Sequence, residues 1–302
     1  MLIMIVEIAG VPMDLGANRR GTDMGPSAIR YAGLSQALLK MGLEVIDLGN
    51  INVPVPESIK VANSGLIFLD EIVEVCQKLG DIVYEVLKRG NFPLVLGGDH
   101  SIAIGTLSGI CRSVPNIGLI WFDAHADFNT FETSKTGNIH GMSLATATGH
   151  GNKKLIGLGG VVPSISEERI VLIGVRDLDH YEKLMLRKSK ITVYSINKID
   201  EMGMARVVKE ALLIAGRDGG GIHVSFDMDV VDPTVASGVG TPVPGGLSYR
   251  EAHFALEKIA DSKMLKSFEI CEVNPIEDNG GNRTASLAVE LVTSALGKRI
   301  YD

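Results

Sequence analysis

Short apolar runs bounded by Gly, Pro, Asn or Asp punctuate the chain at 3–9, 43–48, 93–96, 117–122, 170–174, 191–195, 222–226 and 265–272. Runs of this length that are apolar on consecutive positions predict strands buried on both faces. Between them the apolar positions recur at helical spacing. Leu66, Leu69, Val73, Cys76, Leu79, Val83 and Val86 make the clearest stripe, and Gly90 supplies its stop. Further helices are predicted over about 26–41, 202–215, 249–259 and 284–296. Strand and helix alternate from end to end. That order predicts an α/β fold: a three-layer single domain spanning 1–302, with a mostly parallel β-sheet covered by helices on both faces.

Composition narrows the function more than the fold. The 302 residues are 45% hydrophobic and 22% charged, enough apolar material for a core and far from a disordered composition. No internal repeat, low-complexity tract or Ser/Pro-rich linker marks a domain boundary. A formal net charge of -7, with no dense Lys/Arg run, argues against nucleic acid and for a small-molecule partner. Cys76, Cys111 and Cys271 each lie in an apolar stretch and read as small buried hydrophobes in a reducing compartment. The first apolar run is interrupted by Glu7 and lacks a basic flank, and no apolar run approaches about 18 residues. Neither a secretory signal nor a membrane span is predicted, so the expected location is cytoplasmic. The glycine-rich stretches 149–160 and 219–221 lack the Gly-x-Gly-x-x-Gly spacing of a dinucleotide site.

Three segments end an apolar run with residues able to bind metal: Leu94-Val-Leu-Gly-Gly-Asp-His100, Trp121-Phe-Asp123-Ala-His125-Ala-Asp127, and Val224-Ser-Phe-Asp227-Met-Asp229. In extended chain, residues two apart point to the same side, so Asp123, His125 and Asp127, and likewise Asp227 and Asp229, can face one pocket. Parallel sheets bind ligands beyond the carboxyl ends of their strands, where all three segments fall. Gly97 and Gly98 allow close approach of the backbone before His100, while Gly238, Gly240 and Pro242 shape the loop after the third segment. Four gathered carboxylates repel one another unless cations neutralise them, and two divalent ions balance four negative charges. Oxygen-rich ligands with two imidazoles and no thiolate favour Mn²⁺ over a cysteine-rich zinc site, without singling it out. Two such ions roughly 3.5–4 Å apart can share a water and lower its pKa towards about 7, which is hydrolytic chemistry. Asp99, beside His100, reads as a supporting or helix-capping carboxylate.

These blocks resemble the arginase branch of the ureohydrolase family. The resemblance runs through Gly97-Gly-Asp-His100-Ser101, Asp123-Ala-His125-Ala-Asp127-Phe-Asn129-Thr130 and Ser225-Phe-Asp227-Met-Asp229-Val-Val-Asp-Pro233. It extends from Gly25-Pro-Ser-Ala-Ile-Arg30 to Gly297-Lys-Arg-Ile-Tyr301, nearly the whole chain. Thr133-Ser-Lys-Thr-Gly-Asn-Ile-His140-Gly141 and Arg176-Asp-Leu-Asp179-His-Tyr-Glu182 are its arginase-like discriminators within the wider family.

The resemblance implies an arginase/deacetylase-like fold and hydrolysis of L-arginine to L-ornithine and urea by a hydroxide bridging two Mn²⁺ ions. Asp123 and Asp227 would bridge, His100 and Asp127 would complete one site, and His125 and Asp229 the other. Glu272 would hold the guanidinium, Asp127 would help relay the proton and His140 would shuttle it. Asn129 and Thr136 would bind the substrate carboxylate, and Asp179 and Glu182 its ammonium. Thr241 would line the pocket. The family usually has serine where Thr136 stands, and Ala236-Ser237-Gly238 replaces its Ala-Pro-Gly. His150, His180, His223 and His253 have no such role implied and are expected to be structural or surface residues. The resemblance also implies a homo-oligomer, trimeric or hexameric. Competing readings are agmatinase, hydrolysis of another guanidino acid, and a metal-binding regulator without catalysis. Asn129 and the 138–140 segment weigh against the first, and the complete set of ligands with His140 and Glu272 against the last.

Overall fold

Eight parallel strands form one sheet in the order β2-β1-β3-β8-β7-β4-β5-β6. They are β1 (Ile5–Val11), β2 (Glu44–Asn50), β3 (Phe92–Gly97), β4 (Gly118–Phe122), β5 (Ile170–Val175), β6 (Thr192–Ser195), β7 (Ile222–Asp227) and β8 (Leu265–Cys271). This computed structural model describes residues 4–59, 66–299 and 301. All eight predicted runs form strands, and the sheet is wholly parallel rather than mostly so. Ile3, the first residue of the first run, lies outside the described residues.

The side chains of each central strand alternate between two cores. Leu94, Leu96, Ile120, Phe122, Val224, Phe226, Phe268 and Ile270 join one, whereas Val95, Leu119, Trp121 and Cys271 join the other. Apolar residues on both sides explain why β3 and β4 read as continuous runs, whereas β7 and β8 turn His223, Ser225, Ser267 and Glu269 to the second side. β2 departs from that expectation: at the sheet edge it is largely exposed and carries Glu44 and Asp47. Charged residues on an edge discourage pairing with another chain, and Asp47 is held by Arg30 at 2.7 Å.

Helices cover both faces. The first core receives α1 (Gly25–Tyr31) and α2 (Leu34–Lys40), and the second receives α3 (Leu69–Lys88), α4 (Ile102–Ser113) and α5 (Ser143–Ala147). The short α6 (Lys153–Ile156) and α7 (His180–Lys188) follow, then α8 (Ile196–Met202), α9 (Met204–Ala215), α10 (Tyr249–Asp261) and α11 (Arg283–Ala295). The helix predicted over 26–41 is two helices, because Gly33 turns the chain with a φ of +93°. Gly203 does the same before α9, at a φ of +76°.

Helical spacing did not reveal α4, because nine consecutive residues, from Ile102 to Ile110, are buried and leave no polar stripe. Packed against α3, α5 and the turn at 158–160, α4 meets α3 across glycines. A Cβ at Gly109 would stand 2.3 Å from the Gly80 carbonyl oxygen. Among the described residues no helix is long and apolar enough to cross a membrane.

Candidate metal centre and its pocket

The central strands β3, β7 and β4 bring the three donor segments to one end of the sheet, and β8 between β3 and β7 leads to Glu272. Phe122 pairs with Phe226 and Asp227 with Cys271, so the residues that follow emerge side by side. At the end of β3 the backbone crosses Met13 so closely that a Cβ on Gly98 would lie 1.9 Å from the Met13 carbonyl oxygen. His100 follows at once. Its Nδ1 stands 3.3 Å from Asp123 Oδ2, 3.2 Å from Asp127 Oδ2 and 3.1 Å from Asp227 Oδ2. His125 Nδ1 stands 3.3 Å from Asp123 Oδ1 and 3.1 Å from Asp229 Oδ2. Asp123 therefore turns one oxygen to each imidazole. Asp227 turns Oδ2 to His100, and its Oδ1 accepts the Asp229 N–H at 2.8 Å.

Two sets of donors converge as metal ligands do: His100 with Asp123 and Asp127, and Asp123 with His125 and Asp229. His100 Nδ1 and Asp127 Oδ2 are buried without a hydrogen-bond partner among the described residues, so they point at a shared space rather than at each other. Electrostatics favour cations in that space. Burial and the neighbouring Asp123 push Asp127 up to about 6. Burial, with Asp229 and Asp123 close by, lifts Asp227 well above the usual carboxylate range. Asp123, despite burial, is held low by the two imidazoles. Burial opposes protonation of His100 and His125, yet the surrounding carboxylates raise both well above the ordinary histidine value. Protons on the imidazoles thus neutralise charge that divalent cations would neutralise better, and the donor set fits hard or borderline metals.

Further residues hold this set in place. The Trp121 indole stacks on His100 at 4.1 Å and donates to Asp123 Oδ2 at 2.9 Å. On its far side His100 Nε2 meets Ser225 Oγ at 2.7 Å, and Ser225 donates to Glu269 Oε1 at 2.6 Å. His223, expected to be merely structural, lies 3.5 Å from Glu269 and 2.9 Å from Ser267 Oγ. Despite its burial, Glu269 is held below the usual carboxylate range by His223 and His100. Sequence reasoning missed Ser225 and Glu269 as supports. The signal was there in a glutamate within an apolar strand, at even spacing from Cys271.

Above the donors lies a cavity of about 250 Å³, lined by His125, Asp127, Asn129, Thr136, His140, Asp177, Asp179, Glu182, Asp227 and Thr241, among others. Five of these residues, Asp127, Asp177, Asp179, Glu182 and Asp227, are carboxylates, and no Lys or Arg lines the cavity among the described residues. Glu272 lies beneath. Its Oε1 accepts the His100 N–H at 2.9 Å and faces His140 Nδ1 at 3.2 Å, while Oε2 is buried without a partner among the described residues. Burial lowers His140, but the Glu272 carboxylate outweighs it and raises the imidazole to about 9. Asp127 and Glu272 adopt left-handed backbone, at φ +49° and +63°, a strained conformation for such residues that clusters at functional sites.

The residues expected at the amino-acid end are together, though some are engaged otherwise. Asp179 Oδ1 holds the exposed Lys135 ammonium at 2.5 Å, and its Oδ2 lies 3.4 Å from Asn129 Nδ2. Glu182 acts as a strut, accepting the Phe128 N–H at 3.0 Å and the Asp179 N–H at 3.1 Å. Burial raises its carboxyl to about 7. The Thr136 hydroxyl accepts the Asn138 N–H at 3.2 Å, and Thr241 donates to Asp229 at 3.0 Å. Asp99 supports the loop as expected, accepting the Ser101 N–H at 2.9 Å and the Gly16 N–H at 2.7 Å.

A wholly parallel three-layer sheet with imidazoles and carboxylates converging at its central strand ends defines a metal-dependent enzyme of the α/β class. A model of the Arginase family matches residues 5–297. The chain is similar to the arginase of Brevibacillus brevis, at 48% identity over 295 residues and 98% of each chain. It is also similar to the arginase of Bacillus subtilis strain 168, at 49% identity over 296 residues and 98% of each chain. Among solved structures, the native arginase of Bacillus caldovelox superposes with a TM-score of 0.95 at 47% identity, covering 99% of this chain and 100% of that one. The chain belongs to the arginase family, whose members are metal-dependent hydrolases.

Proposed function

We infer that this chain hydrolyses L-arginine to L-ornithine and urea, using two Mn²⁺ ions. One observation carries the reading: two donor groups that share Asp123 lie beneath a pocket walled by carboxylates. Such a pocket suits a substrate with a cationic guanidinium at one end and an ammonium at the other. When bound, the cations would offset the clustered negative charge and make water a competent nucleophile near neutral pH. His100, Asp123, Asp127, Asp227, His125 and Asp229 would hold them. Glu272, whose Oε2 is buried without a partner among the described residues, is read as the carboxylate that would hold the guanidinium. Asp127 accepts the proton of the attacking water, and His140, protonated at neutral pH, delivers one to the departing amine. The guanidinium C–N bond to the side chain breaks, the water oxygen stays with urea and the amine leaves with its proton. Asn129 and Thr136 are read as donors to the substrate carboxylate, Asp179 and Glu182 as partners of its ammonium, and Thr241 as a pocket wall.

The chain 1–302 is taken as a single working domain, assembled as a homotrimer or hexamer, which sedimentation would test. Three free cysteines suit a cytoplasmic location. The central experiment measures urea release from arginine, agmatine and guanidinobutyrate by metal-free protein reconstituted with Mn²⁺. Arginine is the expected substrate; strong turnover of agmatine with none of arginine would overturn the assignment.

A further inference from the structure

Beside His100 lies one reactive group that this reaction leaves unused. Cys271 closes β8 opposite Asp227, and its free thiol is fully buried. One donor atom from each of His100, Asp227 and Cys271 falls within 4.8 Å of the other two. Among the described residues the sulfur makes one weak hydrogen bond, to the Phe226 carbonyl at 3.7 Å. His100 Nδ1, fully buried, has no hydrogen-bond partner among the described residues and stands 3.1 Å from Asp227 Oδ2, the residue grouped with it and Cys271. Cys271 is the small buried residue of the apolar core that was expected, and it also borders the donors of the centre. The other donor group, Asp123, His125 and Asp229, contains no sulfur. The two halves of the centre thus differ in chemical softness.

We propose that Cys271, together with His100 and Asp227, makes the His100 half of the centre a selective site for a thiophilic divalent cation such as Zn²⁺, Co²⁺ or Cd²⁺. Hard Mn²⁺ is satisfied by the nitrogen and oxygen donors and gains little from sulfur, whereas softer ions form a strong bond to thiolate. On binding such an ion the S–H bond breaks, the metal–sulfur bond forms and the proton leaves to solvent, with no change of oxidation state. Zinc would then compete with manganese on one side of the centre only. This inference rests on the metal-centre reading above.

The test titrates full-length, metal-free protein separately with Co²⁺, Zn²⁺ and Mn²⁺. Wild type should develop a near-ultraviolet sulfur-to-cobalt charge-transfer absorption, and both Cys271→Val and Cys271→Ala should lack it. Zn²⁺ affinity should fall in these variants on the order of ten- to a hundredfold, the scale on which losing one partner of a metal site acts. Mn²⁺ affinity, read by electron paramagnetic resonance, should hold. The proposal is overturned by a wild type without the band, by variants that keep it, or by Zn²⁺ and Mn²⁺ affinities that fall together. The wild-type spectrum decides even where a variant folds poorly. Failure of wild type to bind Mn²⁺ at all would instead remove the metal-centre reading, whereas Mn²⁺ binding without the cobalt band removes sulfur ligation alone.

Discussion

The two sides of the β7–β8 pair have opposite characters. On one side Val224 pairs with Phe268 and Phe226 with Ile270, all fully buried in a purely apolar core. On the other, His223 pairs with Ser267 and Ser225 with Glu269, equally buried but joined by hydrogen bonds that end at His100. Both sides are buried, and neighbouring residues along one strand serve different ends. The apolar side contributes through area and fit, which neighbours can partly replace. The polar side works only as a connected set, because a buried polar group without its partner is costly.

Mutations should separate these sides, beginning with the largest effect. Asp227→Ala, at the outer end of β7, should lower arginine turnover a thousandfold or more, about 4 kcal/mol of transition-state stabilisation, as read by urea release. Near-normal activity would refute the centre. On the apolar side, Phe268→Ala should destabilise the fold by about 3–5 kcal/mol in denaturant unfolding, yet leave urea release per folded molecule unchanged. A loss of turnover in the folded fraction would mean that the two sides are not independent. Glu269→Gln keeps the volume of the polar side but weakens its charge-assisted bonds. Mn²⁺ affinity should fall on the order of tenfold, with unfolding little altered. Unchanged affinity would leave Glu269 as mere packing.

Protonation should touch the polar side alone. His140 is raised from 6.5 to about 9 against Glu272. The raised value adds stability that is fully present below pH 6.5 and is lost as pH climbs through about 9. Thermal melts of metal-free protein should therefore decline across that window, and His140→Asn should flatten the decline. A steeper decline in the variant would reverse the sign of this coupling.

The strands and the donors were legible because both are local patterns. Apolar runs mark the first, and clustered Asp and His after those runs mark the second. What stayed hidden depends on which strand lies beside which. The exposure of β2 follows from its place at the edge, and α4 lost its helical signature by being buried all round. Cys271 and Glu269 come near His100 only because β8, last of the strands along the chain, inserts between β3 and β7. Lys135 reaching Asp179, 44 positions away, likewise follows from how two loops meet.

Trp121 is the only tryptophan in the sequence, and it lies flat against His100 while its indole N–H holds Asp123. The emission of this protein under tryptophan-selective excitation thus comes from a single chromophore in contact with two donors of the centre. Cation loading, including any difference between a paramagnetic ion and a closed-shell one, can be followed in real time by its quenching, without substrate and without a label.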